Sequence, residues 1–351
     1  MKKILFATTA LVATAGMAAA DVKISGYGRF GLDYNNVHSD DKTDAKYDGV
    51  SSTNITSRLR LQFDMSTETD GGVGFNARMR MQSENRDGAP KTGAWNGARF
   101  GVTYGGLTVN VGNIIGAVEN MPGLYTTGIS SGTGIDGMGF YSLVVQGASW
   151  DAYSSAGVGA NGVEALYTFG GFTGHISYSS NNDTLAKAAT PYSPAVLPAV
   201  GEDRTALMLT YNFGDYYVAG AYQWSSNGPV ADTGEELNDG VGLVAFGGDF
   251  GQFGGKLAYG TTEAANTVTL EGYANIGAAS TIMAWVSNLD SQNLTQGGTS
   301  IFLDKNGAAA DGTSWGLNYQ YDLGGGATLV AGYVDSYDDI QQFQAGVYFK
   351  F

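Results

Sequence analysis

Cysteine is absent from this sequence of 351 residues. The chain therefore has no thiolate metal ligand, no cysteine nucleophile and no disulfide. Histidine is nearly absent, because His38 and His175 are its only examples, and they lack the spacing of paired metal ligands. Neither histidine offers a clear base for a serine nucleophile of the hydrolase type. The common catalytic and metal-binding patterns are therefore missing.

Basic residues are scarce as well. The chain has 18 Lys and Arg against 33 Asp and Glu, a formal net charge of −15. Such an acidic balance argues against a nucleic-acid partner. After the N-terminal segment there is also no run of about 18 apolar residues that could cross a bilayer as a helix. Apolar residues placed at every second position could still give each strand one apolar face.

The N-terminal segment has the pattern of a secretory signal. Lysines precede a short apolar run, and three consecutive alanines end at Ala20, a small-residue cleavage site ahead of Asp21. The apolar run is too short for a membrane-spanning helix. We predict a signal peptide over 1–20 and a single exported domain over 21–351.

Apolar and polar residues alternate throughout the exported part. Val22, Ile24 and Phe30 share one parity, and Lys23 and Arg29 take the other. A period of two predicts a strand with one apolar face. The pattern recurs in sixteen segments. The predicted strands are 22–35, 53–66, 73–85, 97–104, 107–114, 162–169, 172–180, 204–213, 216–226, 240–250, 253–262, 267–276, 279–288, 313–323, 327–336 and 342–351.

The links between these strands alternate in length. Glycine-containing tight links such as Gly105-Gly106 and Gly214-Asp215 follow even-numbered strands, and longer polar segments follow most odd-numbered strands. Alternation alone would also fit a soluble sandwich. An even strand count with short turns on one rim and long loops on the other is typical of bacterial outer-membrane barrels. We therefore predict an all-β protein, a transmembrane 16-stranded antiparallel β-barrel with short periplasmic turns and long extracellular loops.

A barrel of this size leaves an aqueous channel, which the third long loop could narrow. That loop, 115–161, is much longer than a hairpin needs. It contains Glu119, Asp136 and Asp151 and has no Lys or Arg. Folded into the lumen, it would be an acidic insertion.

Seven basic residues on the polar parity of the first four predicted strands would form a basic wall opposite this loop. They are Lys23, Arg29, Arg58, Arg60, Arg78, Arg80 and Arg99. Charges on such a wall would set selectivity among small ions. Arg58 and Arg60 of the second predicted strand and Arg78 and Arg80 of the third would lie nearest the constriction. The alternative is that the charges only solvate a sheet surface. Their clustering in one sector, opposite a strongly apolar face, favours the lumen.

The final strand is rich in aromatic residues and ends on one. Phe349 and Phe351 share its apolar parity, and we predict that they form the assembly signal of an outer-membrane barrel. Other aromatics near strand ends suggest a girdle at the membrane interface. They are Tyr34, Tyr104, Phe169, Phe172, Phe213, Tyr216, Tyr217, Phe250 and Phe253.

The start DVKISGYGRFGLDYN, the sixteen predicted strands, the long third loop and the terminal VYFKF together resemble the general diffusion porins of Gram-negative alphaproteobacteria, of the Rhodobacter-like type. The resemblance extends over essentially all of 21–351. It implies a homotrimer of 16-stranded barrels, each with its third loop folded inward, surrounded by outer-membrane lipid and lipopolysaccharide. The implied function is a water-filled channel for passive diffusion of small hydrophilic solutes and ions.

Such a channel needs no cofactor, and its acidic excess predicts a mild cation preference that the arginine sector could reverse. Two other functions stay open: a substrate-specific channel for sugars or phosphate, and an enzyme or adhesin that uses the barrel as an anchor. Loop residues Asp40, Asp41 and Asp44 could hold a structural Ca²⁺ through oxygen ligands, although the twelve-residue calcium-loop pattern is missing.

Overall fold

Sixteen long strands, labelled β1 to β16 in chain order, form the fold of this computed structural model. The structure describes residues 20–45, 47–127, 148–181, 201–226, 234, 239–291, 295–296, 299–300, 311–337 and 339–351. The strands are β1 Asp21–Asn35, β2 Thr53–Glu68, β3 Gly74–Arg86, β4 Arg99–Tyr104, β5 Leu107–Asn113, β6 Asn161–Phe169, β7 Phe172–Ser180, β8 Asp203–Phe213, β9 Tyr216–Ser226, β10 Gly240–Phe250, β11 Phe253–Thr261, β12 Ala265–Ile276, β13 Ser280–Ser291, β14 Gly312–Gly324, β15 Ala327–Asp335 and β16 Gln341–Lys350.

Very short strands occur in two of the loops. Ala89–Pro90 and Ala94–Trp95 pair with β3, and Thr295–Gln296 pairs with Thr299–Ser300. Among the described residues, no helix combines the length and the apolar character needed to cross a membrane.

The barrel closes between its first and last strands. Each long strand pairs antiparallel with the next, and β1 pairs with β16 in a register that runs from Tyr27 opposite Lys350 to Asn35 opposite Gln342. Closure satisfies the backbone of every strand and removes the sheet edges. The predicted 16-stranded antiparallel barrel is confirmed.

The alternating sequence sets the two faces of the wall. Val22, Ile55 and Leu209 point outward and are 60%, 65% and 60% exposed, whereas Arg29 and Met208 on the inner face are buried. A continuous apolar surface of this extent is not stable against water. The outer face therefore meets lipid, and the lumen receives the polar side chains.

The C-terminal aromatic residues pack against β1, where the first and last strands of the barrel meet. The Phe349 ring lies directly over Gly28 of β1, where an added Cβ would come within 2.3 Å of the ring. Gly26 and Phe351 exchange backbone hydrogen bonds of 2.9 and 3.1 Å. The last strand is thus held to the first by both backbone and ring contacts, while its function as an assembly signal stays a prediction.

One rim carries short turns and the other carries the long loops. Gly105 and Gly106, which link β4 to β5, have φ values of 56° and 85°. This left-handed region suits glycine, so the tight turn depends on it. The same rim holds the other glycine turns, and the long loops, including 114–160, leave from the opposite rim.

Aromatic residues form the expected outer girdle, with one exception. Tyr104, Phe169 and Phe172 are strongly exposed on the outer face. The prediction was wrong for Tyr217, whose hydroxyl group lies close to Gly123 of the third loop. Adjacent strand residues point to opposite faces, so Tyr217 points inward where Tyr216 points outward.

Strand β4 begins two residues later than predicted. The predicted strand began at Gly97, but the Gly97 amide donates to the carbonyl oxygen of Gly157 at 3.0 Å, and Asn96 bridges to Gly157 as well. A Cβ on Gly97 would lie 2.2 Å from the Val158 carbonyl oxygen. The end of the third loop therefore replaces the strand neighbour at this point.

Candidate functional site

The first part of the third loop lies inside the barrel against the wall formed by β8 to β11. Val118, Met121 and Leu124 are buried, and they pack in one apolar cluster with inward-facing residues of these strands. The residues that β8 to β11 contribute to this cluster are Ala206, Met208, Ala219, Ala221, Val241, Leu243, Ala245 and Ala258. Burial of this apolar surface holds the loop on one side of the lumen.

The start of the loop is also tethered by Glu164 of β6. This carboxylate is 1% exposed and accepts hydrogen bonds from the amides of Ile115 and Gly116, at 3.1 and 2.9 Å. It also contacts the side chains of Asn110 at 2.8 Å, His175 at 3.2 Å and Arg99 at 3.8 Å. Glu164 therefore joins three strands to the first residues of the loop.

A second carboxylate holds the loop farther along. Both oxygens of Glu271 on β12 lie 3.1 Å from the Thr127 amide, and Nζ of Lys256 on β11 lies 3.4 Å from Glu271. Lys256 also donates to the carbonyl oxygen of Tyr125. Both charged side chains are almost fully buried, at 7% and 2% exposure. The pair thus fixes 125–127 to the wall.

The return arm of the loop contacts two sides of the lumen. Asp151 lies 3.3 Å from Arg204 of β8. Tyr153 meets the opposite side, where its ring centroid is 4.6 Å from the Arg80 guanidinium and 5.2 Å from that of Arg99. Cation–π contacts of this kind are favourable, particularly when partly desolvated. The return arm therefore reaches the arginines of β3 and β4.

The structure brings six of the seven predicted basic residues together on the inner faces of β1 to β4. They are Arg29, Arg58, Arg60, Arg78, Arg80 and Arg99. Arg29 is buried opposite Arg58 in the register of β1 and β2. Lys23, the seventh, is exposed; it lies opposite Asp64 of β2, which is itself opposite Arg78 of β3.

The acidic side is less open than the sequence suggested. Glu119 is half-buried, and it accepts hydrogen bonds from the Tyr125 hydroxyl and from the Trp150 indole within the same loop. Burial raises the pKa of Glu119 above its ordinary value, while those two hydrogen bonds and the charge of Arg80 oppose the rise. Asp136 lies outside the described residues.

The remaining candidate residues have local functions. His175 is buried against Glu164 beneath the start of the loop. Asp41 accepts hydrogen bonds from the amide and hydroxyl of Thr43. Within the part of the chain that the structure describes, no three acidic or histidine side chains converge as a metal site would require. The Ca²⁺ hypothesis stays a prediction.

Known proteins share this architecture. Residues 7–341 match the family described as Gram-negative porin. This chain belongs to the Gram-negative porin family. A relative named Porin, from Fuscovulum blasticum, is 28% identical over 274 residues, which cover 77% of this chain and 85% of that protein.

Solved structures of porin mutants are similar over the whole barrel. A double mutant of the Rh. blastica porin has a TM-score of 0.70 at 26% identity, covering 94% of this chain and all of that one. A triple mutant of the same porin has a TM-score of 0.69 at 27% identity, with the same coverage of 94%. This chain is therefore a Gram-negative outer-membrane channel for passive diffusion of small hydrophilic solutes and ions.

The sequence pattern does not distinguish the residues that hold the third loop. Glu164, Glu271 and Lys256 look like other polar lumen positions in the alternating pattern. A signal for the apolar cluster was present, because β8 to β10 carry apolar residues on both parities, such as Met208 beside Leu207 and Leu209. Inward apolar positions in a water-filled barrel require an apolar cover.

Proposed function

We propose that this porin filters solutes where the third loop and the arginine wall flank the channel. The observation that carries the proposal is the contact of the return arm, through Tyr153, with Arg80 and Arg99. The two carboxylate tethers, Glu164 on β6 and Glu271 on β12, support a fixed loop position. Solutes then pass between a held loop and a basic surface, so that size and charge are selected together.

The arginine wall supplies the stronger fixed charge of this filter. The two loop carboxylates within the described residues are both engaged: Glu119 accepts two hydrogen bonds within the loop, and Asp151 pairs with Arg204. Across the lumen, Arg60 and Arg80 have no carboxylate within 4.0 Å in the described part of the chain. The cation preference expected from the overall acidic charge is therefore opposed at the constriction.

Neutralising Arg60 and Arg80 together should shift ion selectivity toward cations. A unit charge about 4 Å away in water changes an ion's energy by about 1 kcal/mol, or about fivefold in its population. Removing two positive charges favours K⁺ and disfavours Cl⁻, so we expect the K⁺ to Cl⁻ permeability ratio to rise by at least about fivefold. Reversal potentials in a KCl gradient measure this ratio for the wild type and for Arg60→Gln/Arg80→Gln.

The matched control is Arg58→Gln/Glu84→Gln, which removes an ion pair from the same wall without changing its net charge. The control should keep the wild-type selectivity. Equal reversal potentials for all three proteins would show that the wall does not set selectivity, and would contradict the proposal.

We further propose that the porin is a homotrimer in outer-membrane lipid and lipopolysaccharide. The apolar outer face supports a lipid surrounding, and the family resemblance supports the trimer. The mass of the detergent-solubilised complex, corrected for bound detergent, should equal that of three chains. A single-chain mass under conditions that preserve the folded barrel would contradict the trimer.

A further inference from the structure

The arginines of the wall differ in what they pair with. Arg58 Nη2 lies 2.6 Å from Glu84, and Arg78 Nε lies 2.5 Å from Asp64. Arg99 is 3.8 Å from Glu164. These three guanidinium groups each have a carboxylate that offsets their charge, so they contribute little net positive charge to the lumen.

Arg60 and Arg80, which lie between these pairs, bind neutral amides instead. Arg60 Nε donates to the Gln82 side-chain oxygen at 2.9 Å, and Arg80 Nε donates to the Gln62 side-chain oxygen at 2.8 Å. An amide oxygen can orient a guanidinium through one hydrogen bond without cancelling its charge. Among the four lumen arginines of β2 and β3 named here, Arg58, Arg60, Arg78 and Arg80, the positive charge that no carboxylate offsets is thus concentrated on Arg60 and Arg80.

Several donors of the two arginines are left for a ligand. Within the described residues, both terminal nitrogens of Arg60 and Nη2 of Arg80 have no hydrogen-bond partner, and Nη1 of Arg80 has only a long contact of 3.4 Å to Ser155. The three nitrogens without a partner are not fully buried, so they reach the water of the lumen. A guanidinium fork with free N–H groups matches the oxygens of a carboxylate or phosphate.

The two groups are close enough to act together. Arg60 is opposite Gln82, and Gln62 is opposite Arg80, so the arginines are diagonal neighbours on one face of β2 and β3. Such neighbours have Cα atoms roughly 7–8 Å apart. An aromatic ring lies next to each guanidinium group. The guanidinium carbon of Arg60 is 5.0 Å from the centroid of the Tyr27 ring, and that of Arg80 is 4.6 Å from the centroid of the Tyr153 ring.

A cavity adjoins them. It has a volume of about 260 Å³, and its lining includes Tyr27, Arg60, Gln62, Arg80 and Lys350. Like charges held on neighbouring strands repel one another, and a bound anion would relieve that repulsion. The open donors, the supporting rings and the cavity therefore form a site shaped for a small anion.

We propose that Arg60 and Arg80 form a subsite inside the channel that binds the oxyanion group of permeating solutes, whether phosphate or carboxylate. The proposal rests on the filter described above and names the solute class that the filter recognises. Chloride, which has one spherical charge and no planar set of oxygens, gains less from the paired forks.

Single-channel conductance at increasing potassium phosphate concentration tests the subsite, with potassium chloride as the reference salt. A binding site makes conductance saturate, so the wild type should saturate at lower phosphate than chloride concentration. Arg60→Gln and Arg80→Gln each remove one guanidinium group. In either variant, the phosphate concentration at which the conductance is half-saturated should rise roughly tenfold. Potassium acetate in place of phosphate shows whether carboxylates share the site.

Two variants separate a subsite from a diffuse field. Arg58→Gln removes the same charge from the same wall, but from an arginine paired with Glu84, and it should leave phosphate saturation within about twofold of the wild type. Arg60→Lys/Arg80→Lys keeps both charges but loses the forks, so it should keep the chloride selectivity and weaken phosphate saturation several-fold.

A wild-type channel whose phosphate conductance rises in proportion to its chloride conductance would overturn the subsite. So would an equal loss of saturation in Arg58→Gln and Arg60→Gln. Either result could coexist with the KCl selectivity shift predicted for the filter, whereas loss of that shift contradicts the filter itself. The two failures are therefore distinguishable.

Discussion

Replacing Glu164 with alanine is expected to free the start of the third loop and to make the open channel wider and noisier. The change leaves the amides of Ile115 and Gly116, together with Asn110 and His175, without the carboxylate that they now bind. Each buried polar group without a partner costs about 1–3 kcal/mol. Detachment of the loop costs less free energy, because water can then form hydrogen bonds with these groups.

Single-channel recordings would show the release as a higher mean conductance with added flicker. The control is Glu84→Gln, which removes a carboxylate charge from the lumen. Glu84 is bound to Arg58 and Gln82 of the wall and to Lys91 of the loop after β3, and not to the third loop. It should change selectivity but add no flicker. A Glu164→Ala channel with wild-type conductance, noise and thermal stability would show that Glu164 does not hold the loop.

Glu271→Ala is expected to have the largest effect on stability. It leaves the Lys256 ammonium buried without its partner at 3.4 Å and removes the acceptor of the Thr127 amide. Breaking one side of a buried ion pair typically costs about 3–5 kcal/mol. We expect a clear drop in the thermal unfolding midpoint, together with channel flicker from the loosened loop.

A double variant separates these two effects. Lys256→Met/Glu271→Leu removes both buried charges, and apolar replacement of such a pair is often neutral for stability. The double variant should recover most of the unfolding midpoint that Glu271→Ala loses. It should still flicker, because the tethers to Tyr125 and Thr127 are gone. A quiet double-variant channel would show that the apolar cluster and the Glu164 tether position the loop without the Lys256–Glu271 pair.

Local patterns were enough to predict the barrel. Alternation depends only on residues two positions apart, so it predicts which side chains of a strand share a face. Val22 and Arg29 therefore lie outside and inside as their parity predicted. Glycine turns such as Gly105-Gly106 marked the short rim for the same local reason, since a tight hairpin needs positive φ there.

The path of the third loop could not be predicted in this way. Its contacts join Thr127 to Glu271 and Tyr153 to Arg78, residues 144 and 75 positions apart in the chain. Such pairs depend on the closed barrel, which sets the distance across the lumen. The difference between Arg58 and Arg60 is also non-local, because it lies in their neighbours Glu84 and Gln82 on β3.

We infer that the third loop, held at Glu164 and Glu271, limits the width of a water-filled channel. Polymer exclusion during single-channel recording in planar bilayers tests it most directly, by finding the largest neutral polymer that still enters the pore and lowers conductance. We expect stepwise openings for the wild type and entry of larger polymers into the Glu164→Ala channel. Folded wild-type protein that gives no openings, or the same size limit in both proteins, would contradict it.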